Sequence, residues 1–389
     1  MRVALIGDQH QLDAGGASHY ALELGSQLVR LGVETTLIAH GHKGEPEEEE
    51  IAGLKVRRIK GPGLGSAHRA VSPVVFRRCH RYIHDGRFDV VHGVDIYWTM
   101  AQMAVQYAHR CSIPSVLTCH TVEDSPFLVR LQRPMGLLLK RADRLIAVSR
   151  ASEHFSHLLG CPEQKIAVVP NGVDLSCFNE NVDSSSMRKE FGVGDEPLVV
   201  MASRLVKRRS PGLLISAFAR VLEVIPEAKL IIAGSGREKN RLCRQIERLN
   251  IANSVFMAGQ LARARIAQLM AAADVYVSSS RVESFGLALL EASAVGVPVV
   301  CSNAGGAPEV FHHGFNALLY RPGDADAMAH AISRLLTDRE LAKNIRLRAV
   351  ETASKYTWET AAKRTLRVYE ELLQQDRQSK QTTFTVDTQ

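Results

Sequence analysis

Ser280-Arg281-Val282-Glu283-Ser284-Phe285-Gly286-Leu287-Ala288-Leu289-Leu290-Glu291-Ala292-Ser293-Ala294-Val295-Gly296-Val297-Pro298-Val299-Val300 is the stretch on which both fold and ligand chemistry turn. Ahead of it, Val275-Tyr276-Val277-Ser278-Ser279 reads as the end of a strand. Glu283 lies in the loop that follows. Phe285-Gly286 then opens a helix carrying Glu291, Gly296 breaks it, and Pro298-Val299-Val300 restarts a strand. Two glutamates with seven residues between them thus straddle a glycine at a helix N-terminus. Such a helix start offers free N–H groups and a positive dipole end to a phosphate. The carboxylates repel that phosphate but accept hydrogen bonds from hydroxyls on either side of it. The pattern suits a ligand that is both anionic and hydroxyl-rich, which is the anatomy of a nucleotide sugar.

The bulk numbers bound the class. A chain of 389 residues, 46% apolar and 23% charged, is globular and long enough for two domains with separate cores. Met1-Arg2-Val3-Ala4-Leu5-Ile6-Gly7 reads as a short strand rather than a signal peptide. No apolar run approaches the roughly 20 residues that span a bilayer, so a cytoplasmic protein is expected. The seven cysteines include no C-x-x-C pair and read as reduced thiols, with no metal site. The net charge of +7 is uneven. Residues 51–84 contain no acid but hold Lys55, Arg57, Arg58, Lys60, Arg69, Arg77, Arg78 and Arg81, and residues 131–141 mix cations with aliphatics. Two readings stand: a solvated face beside a buried helix, or a peripheral contact with anionic lipid on the inner face of a membrane. Nucleic acid is not expected, because neither stretch interleaves aromatics with its cations.

Short β-branched runs alternate with helical patterns almost throughout. Strands are expected at 3–7, 34–39, 55–59, 89–92, 115–119, 145–148 and 166–169, with helices such as 17–31 and 73–83 between them. Asn171-Gly172-Val173-Asp174 and the polar residues 179–186 interrupt this series. A second series follows at 198–202, 230–233, 255–258, 275–278, 299–301 and 317–320. This is an α/β chain of two doubly wound, Rossmann-like domains, 1–175 and 190–358, expected to face a central cleft. Residues 45–50 and 61–66 read as exposed loops, and 376–389 as a disordered tail.

Ligands of such sheets bind at the carboxyl ends of the strands, so residues just after strands matter most. Gly15-Gly16 follows the first strand and is either a close approach to a ligand or an ordinary tight turn. Gly234-Ser235-Gly236 begins like a dinucleotide fingerprint, but Lys239 stands where the third glycine belongs, which excludes a typical NAD site. Arg204, Lys207, Arg208 and Arg209 follow a strand and suit a diphosphate leaving group. His120 ends another strand among polar neighbours. Gly305-Gly306 suits close contact with a sugar.

Taken in order, these segments resemble the retaining glycosyltransferases of the GT-B fold, and among them the family called GT4 or glycosyltransferase group 1. Gly15-Gly16, Asn171-Gly172-Val173-Asp174, Ser203-Arg204-Leu205-Val206, the E-x7-E pair Glu283 and Glu291, Gly296-Val297-Pro298-Val299-Val300, Gly305-Gly306-Ala307-Pro308-Glu309 and Tyr356-Thr357-Trp358 carry the resemblance. It implies that Glu291 holds the donor ribose and Glu283 the donor sugar. The amides of Phe285, Gly286 and Leu287 would meet the phosphates, Arg204 the diphosphate, and His120 the sugar from the first domain. Gly16 would line the phosphate side. A helix at about 359–375 would pack back on the first domain. The family usually has lysine then glycine where this chain has Arg209-Ser210; Arg209 keeps the charge with a different shape, and Lys207 can stand in.

The resemblance further implies a nucleotide-sugar donor, retention at the anomeric carbon by a front-side route, no cofactor and no divalent metal; no Asp-x-Asp is expected anywhere in the chain, which disfavours a metal-bridged diphosphate. Loops 40–70 and 121–140, basic and partly apolar, point to a lipid-linked or anionic acceptor. A nucleotide-sugar epimerase, a phosphorylase-type enzyme and a catalytically silent nucleotide-sugar binding protein are the rival readings.

Overall fold

The apolar runs fold into two sheets, seen in a computed structural model that describes residues 1–7, 16–41, 44–61, 72–123, 125–132 and 136–386. The chain divides into Met1–Asn171 with Trp358–Gln389 as one unit, and Gly172–Thr357 as the other. The division falls inside the Asn171-Gly172-Val173-Asp174 segment. Gly15, Arg69, loop residues 62–66 and Arg133 lie outside the described residues.

In the first unit the strands are β1 (Arg2–Gly7), β2 (Glu34–Gly41), β3 (Glu48–Ile51), β4 (Leu54–Lys60), β5 (Val90–Gly93), β6 (Ser115–Cys119), β7 (Arg144–Ala147) and β8 (Ile166–Val168). Their order is β3-β4-β2-β1-β5-β6-β7-β8, parallel except for β3 against β4. Parallel strands buried on both faces read as continuous apolar runs, and Val3 to Ile6 are all fully buried. The helix Pro73–Asp85 starts where the Ser72 hydroxyl accepts from Val75 N, with proline in its first turn. It buries Val75, Phe76, Cys79 and Ile83 against Ala4, Ile6 and Ile38 of the sheet. Each large apolar side chain so buried contributes about 1.5–3 kcal/mol.

Two expectations are corrected in this unit. Residues 45–50 are not simply an exposed loop, because Glu48–Ile51 forms β3 with Glu48 opposite Arg57 and Glu50 opposite Lys55. Glu48 pairs with Arg57, and Glu49 with the buried Arg58, so opposite charges facing across strands stabilise the hairpin. The same pairs neutralise part of the basic stretch 51–84. The tail expected from residue 376 is helical as far as Val386, because the helix Trp358–Val386 meets no glycine or proline to stop it.

The second unit carries β9 (Leu198–Ala202), β10 (Lys229–Ala233), β11 (Val255–Gly259), β12 (Val275–Val277), β13 (Val299–Ser302) and β14 (Leu318–Tyr320). Their order is β11-β10-β9-β12-β13-β14, all parallel. The helix Pro211–Val224 buries Leu214, Ile215, Phe218 and Val221 in the core that holds Val199, Leu230 and Val275. Numbered within the unit, this is the doubly wound order 3-2-1-4-5-6. Its direction reverses between β9 and β12, and the crevice at such a switch point is where ligands sit.

Candidate active site

The switch point brings together two loops far apart in sequence, the one after β9 with its cations and the one after β12 with Glu283. Arg209 Nη1 lies 2.5 Å from Glu283 Oε1 and donates to Ser280 Oγ at 3.0 Å. Ser278 Oγ donates to the same Glu283 oxygen at 2.9 Å. The Arg209 carbonyl accepts from Ser279 Oγ at 2.7 Å, which fixes the turn itself. Burial alone would raise the Glu283 carboxyl. The Arg209 guanidinium and the hydroxyls of Ser280 and Ser278 more than offset it, holding Glu283 below the ordinary carboxylate range. Glu283 in turn raises Arg209. The site therefore holds a buried, ionised carboxylate with its own counter-charge.

Backbone contacts place Glu283 as firmly as its side chain does. Gly306 N donates to Glu283 O at 2.7 Å, and Glu283 forms a bridge with Gly305. Gly305 has φ +72°, and a Cβ there would lie 2.1 Å from the Glu283 carbonyl oxygen. The room that Gly305 leaves is taken by the Glu283 backbone. Gly286 has φ 98° and ψ 47° at the start of the helix Leu287–Ala294, with no side-chain cap and no acid in the first turn. Leu289 N and Leu290 N donate to Gly286 O, so the amides that the helix start does not satisfy from within are those of Leu287 and Ala288. Phe285 is buried, its ring edge-on to Tyr356 at 5.8 Å between centroids.

Glu291 lies on that helix, its Oε1 3.6 Å from Arg263 Nη2. Arg263 also lies 4.0 Å from Asp174 Oδ2 and stacks over Phe178 at 5.1 Å. Asp174 belongs to the segment expected at the domain junction, so the structure joins two motifs that the sequence presented separately.

The four cations after β9 do not act as one group. Arg209 turns to Glu283, and Arg208 Nη2 approaches Ser284 Oγ at 3.4 Å. Arg204 is exposed at the end of the strand. Lys207 faces another cavity, between the helices Pro211–Val224 and Lys239–Arg248. Lys207 is not brought beside Glu283, because the turn Lys207–Arg209 is 3-10, and in so tight a turn consecutive side chains point in different directions.

In the first unit His120 follows β6. Its ring meets Tyr20 edge-on at 4.4 Å, and its Nε2 is shut off from solvent without a hydrogen-bond partner among the described residues. Burial pulls His120 down to about 3, against a smaller opposing effect from its hydrogen bond to the Val94 backbone, so the imidazole is neutral. Gly16 opens the helix Gly16–Arg30. His92 is fully buried and bonds Tyr369 OH through Nδ1 and Thr118 Oγ1 through Nε2, both at 2.6 Å. The long C-terminal helix thus contributes to the packing around β5 and β6.

The chain contains one Asp-x-Asp, Asp324-Ala325-Asp326, contrary to the reading that none is available. It is a helix start: Asp324 Oδ1 accepts from Ala327 N at 2.9 Å, and Asp326 pairs with Arg220 at 3.0 Å. Among the described residues no group of three metal-ligating side chains converges.

The family model described as Glycosyl transferases group 1 matches residues 183–352, and that described as Glycosyltransferase Family 4 matches residues 14–176. A D-inositol 3-phosphate glycosyltransferase of Frankia alni is 31% identical over 398 residues, covering 93% of this chain and 95% of the relative. The chain belongs to the group 1 glycosyltransferases. An uncharacterized glycosyltransferase of Methanocaldococcus jannaschii is 30% identical over 376 residues, covering 91% of this chain and 94% of the relative. Among solved structures, Anabaena HepE in complex with UDP and glucose is similar with TM-score 0.81 and 24% identity, over 95% of this chain and 99% of that chain. Sucrose-phosphate synthase from Thermosynechococcus elongatus is similar with TM-score 0.82 and 22% identity, over 96% of this chain and 99% of that chain. The fold is GT-B.

Sequence reading of this glycosyltransferase missed Arg263, Ser278 and Ser280. Arg263 was within reach, because it follows the end of β11 at the start of the helix Arg263–Ala271. The serines carried no such signal, since a Ser-Ser-Ser run after a strand reads as an ordinary loop.

Proposed function

We propose that this glycosyltransferase moves a sugar from a nucleotide-diphosphate sugar to an acceptor hydroxyl with retention at the anomeric carbon and without a divalent metal. The observation that carries the reading is the Arg209–Glu283 pair at the switch point, beside the uncapped helix start at Gly286. The helix amides and Arg204 bind the diphosphate, Glu291 the ribose hydroxyls, and Glu283 a hydroxyl of the sugar. The bond from the anomeric carbon to the phosphate oxygen breaks while the acceptor oxygen bonds to that carbon on the same face. The acceptor proton passes to the departing phosphate oxygen. Helix dipole, Arg204 and Arg209 stabilise the charge that develops there. The orphaned Nε2 of His120 supports a role in holding a substrate hydroxyl, as a neutral hydrogen-bonding group.

HepE complexes with UDP and UDP-glucose support a UDP-sugar as the first donor to test. The D-inositol 3-phosphate glycosyltransferases among the relatives support an anionic acceptor. Among the described residues no helix is long and apolar enough to cross a membrane. Phe127, Leu131 and Leu137 are exposed near Arg130 and Lys140, which supports peripheral contact with an anionic bilayer.

NMR of the first-formed product is expected to show retention, and inversion would refute the front-side route. Activity should survive EDTA. Glu291→Ala should weaken UDP binding, whereas Glu283→Gln should lower turnover more than UDP affinity. Normal binding and wild-type turnover in both variants would refute the site.

A further inference from the structure

The second unit holds a cavity of about 820 Å³ between the helices Pro211–Val224 and Lys239–Arg248. Its walls are cationic: Arg241, Arg244 and Arg248 line it from one helix, and Lys207 from the turn Lys207–Arg209. Spacings of three, four and seven residues put the three arginines on one helix face, where like charges repel. One carboxylate, Glu238, lines the cavity, and Arg241 Nη1 already holds it at 3.1 Å. Among the described residues, Lys207, Arg244 and Arg248 have no carboxylate within ion-pair distance. An anion among these cations would relieve their mutual repulsion.

The floor of the cavity is built rather than incidental. Gln245 Nε2 donates to Gly212 O and to Ser216 Oγ, both at 2.9 Å, tying the two helices together. That holds the first turn of Pro211–Val224 at the cavity edge. The turn has no acidic residue, and the Ser210 hydroxyl donates to the Lys207 carbonyl instead of capping it. Its positive dipole end adds to the cationic wall.

We propose that this cavity is a second anion site, separate from the donor site, for a small molecule bearing two or more phosphates. Its volume falls within the ~300–1,000 Å³ of small-ligand pockets. Cations spread along two helical turns match several phosphates better than a single carboxylate. The site shares a turn with the donor site, since Lys207 faces the cavity while Arg209 holds Glu283. Occupancy therefore bears on the turn that positions Glu283.

Calorimetric titration of the full chain with inorganic tripolyphosphate tests this. Arg244→Ala/Arg248→Ala is the test variant, and Arg204→Ala the donor-loop control. Arg244 and Arg248 are exposed, so the double variant should keep the wild-type thermal midpoint. The expected result is binding to wild type that weakens at least about tenfold in the double variant and is retained in Arg204→Ala. No binding to wild type, or wild-type affinity in the double variant, overturns the proposal. Binding lost only in Arg204→Ala puts the probe on the donor loop and overturns it as well.

Discussion

Replacing Arg209 by methionine would leave the Glu283 carboxylate buried with only hydroxyls to answer its charge. The two groups meet at 2.5 Å, with the Glu283 side chain 9% exposed and that of Arg209 34%. With charge centres about 4 Å apart and an effective dielectric of about 20, the attraction is about 4 kcal/mol. The partial exposure of Arg209 screens it to about 2 kcal/mol. Removing one partner of a buried pair costs more than the attraction lost, because the remaining charge is stranded. Arg209→Met is therefore expected to destabilise the second unit by about 2–4 kcal/mol. Glu283→Gln should cost less, since its amide oxygen still accepts from Ser278. The double variant should be more stable than the sum of the single losses by about 2 kcal/mol. Both tryptophans, Trp98 and Trp358, lie in the first unit, so their fluorescence does not report this loss. Hydrogen exchange of peptides covering residues 275–300 does. Strictly additive single-variant effects would refute the claim that the pair is coupled in the folded protein.

Other changes probe separate parts of the reasoning. Gly305→Ala places a Cβ 2.1 Å from the Glu283 carbonyl oxygen at φ +72°; it should cost at least about 2 kcal/mol and lower turnover, checked by thermal melts and initial rates. Arg263→Met should raise the UDP dissociation constant several-fold by releasing Glu291, read by calorimetry, with turnover at saturating donor little changed. His92 and His120 are both held near 3 by burial, against an ordinary 6.5, so the unfolded chain takes up protons first as pH falls. Their contribution is complete above about pH 6.5 and shrinks by up to about 1.4 kcal/mol per group per pH unit below it. Tryptophan-detected urea melts between pH 7.5 and pH 5 follow that loss, and a flat profile would contradict it. Phe127→Asp/Leu131→Asp should reduce co-sedimentation with anionic vesicles.

Much of the fold was legible because buried parallel strands announce themselves as apolar runs. The runs at 115–119 and 198–202 coincide with β6 and β9 to the residue. The strand β3 was hidden because Glu48-Glu49-Glu50 gains its strand character only from the cations opposite. In the site, Glu283, Gly286 and Glu291 stood out because a helix start and two carboxylates share one short segment. Ser278 and Arg263 did not, since each acts only on a partner brought to it by folding.

Linear order was sufficient for two α/β units, the strand–helix–strand motif carrying both glutamates, and the family. Those depend on local periodicity and on spacing along one segment. Which cation meets which carboxylate was decided only when β9 and β12 came to lie side by side, bringing together Arg209 and Glu283, whose positions differ by 74 in sequence. Neighbours in sequence then part company: Arg209 turns to Glu283 while Lys207 faces the cavity lined by arginines. Charge interactions depend on distance and burial in space, and a string of cations specifies neither.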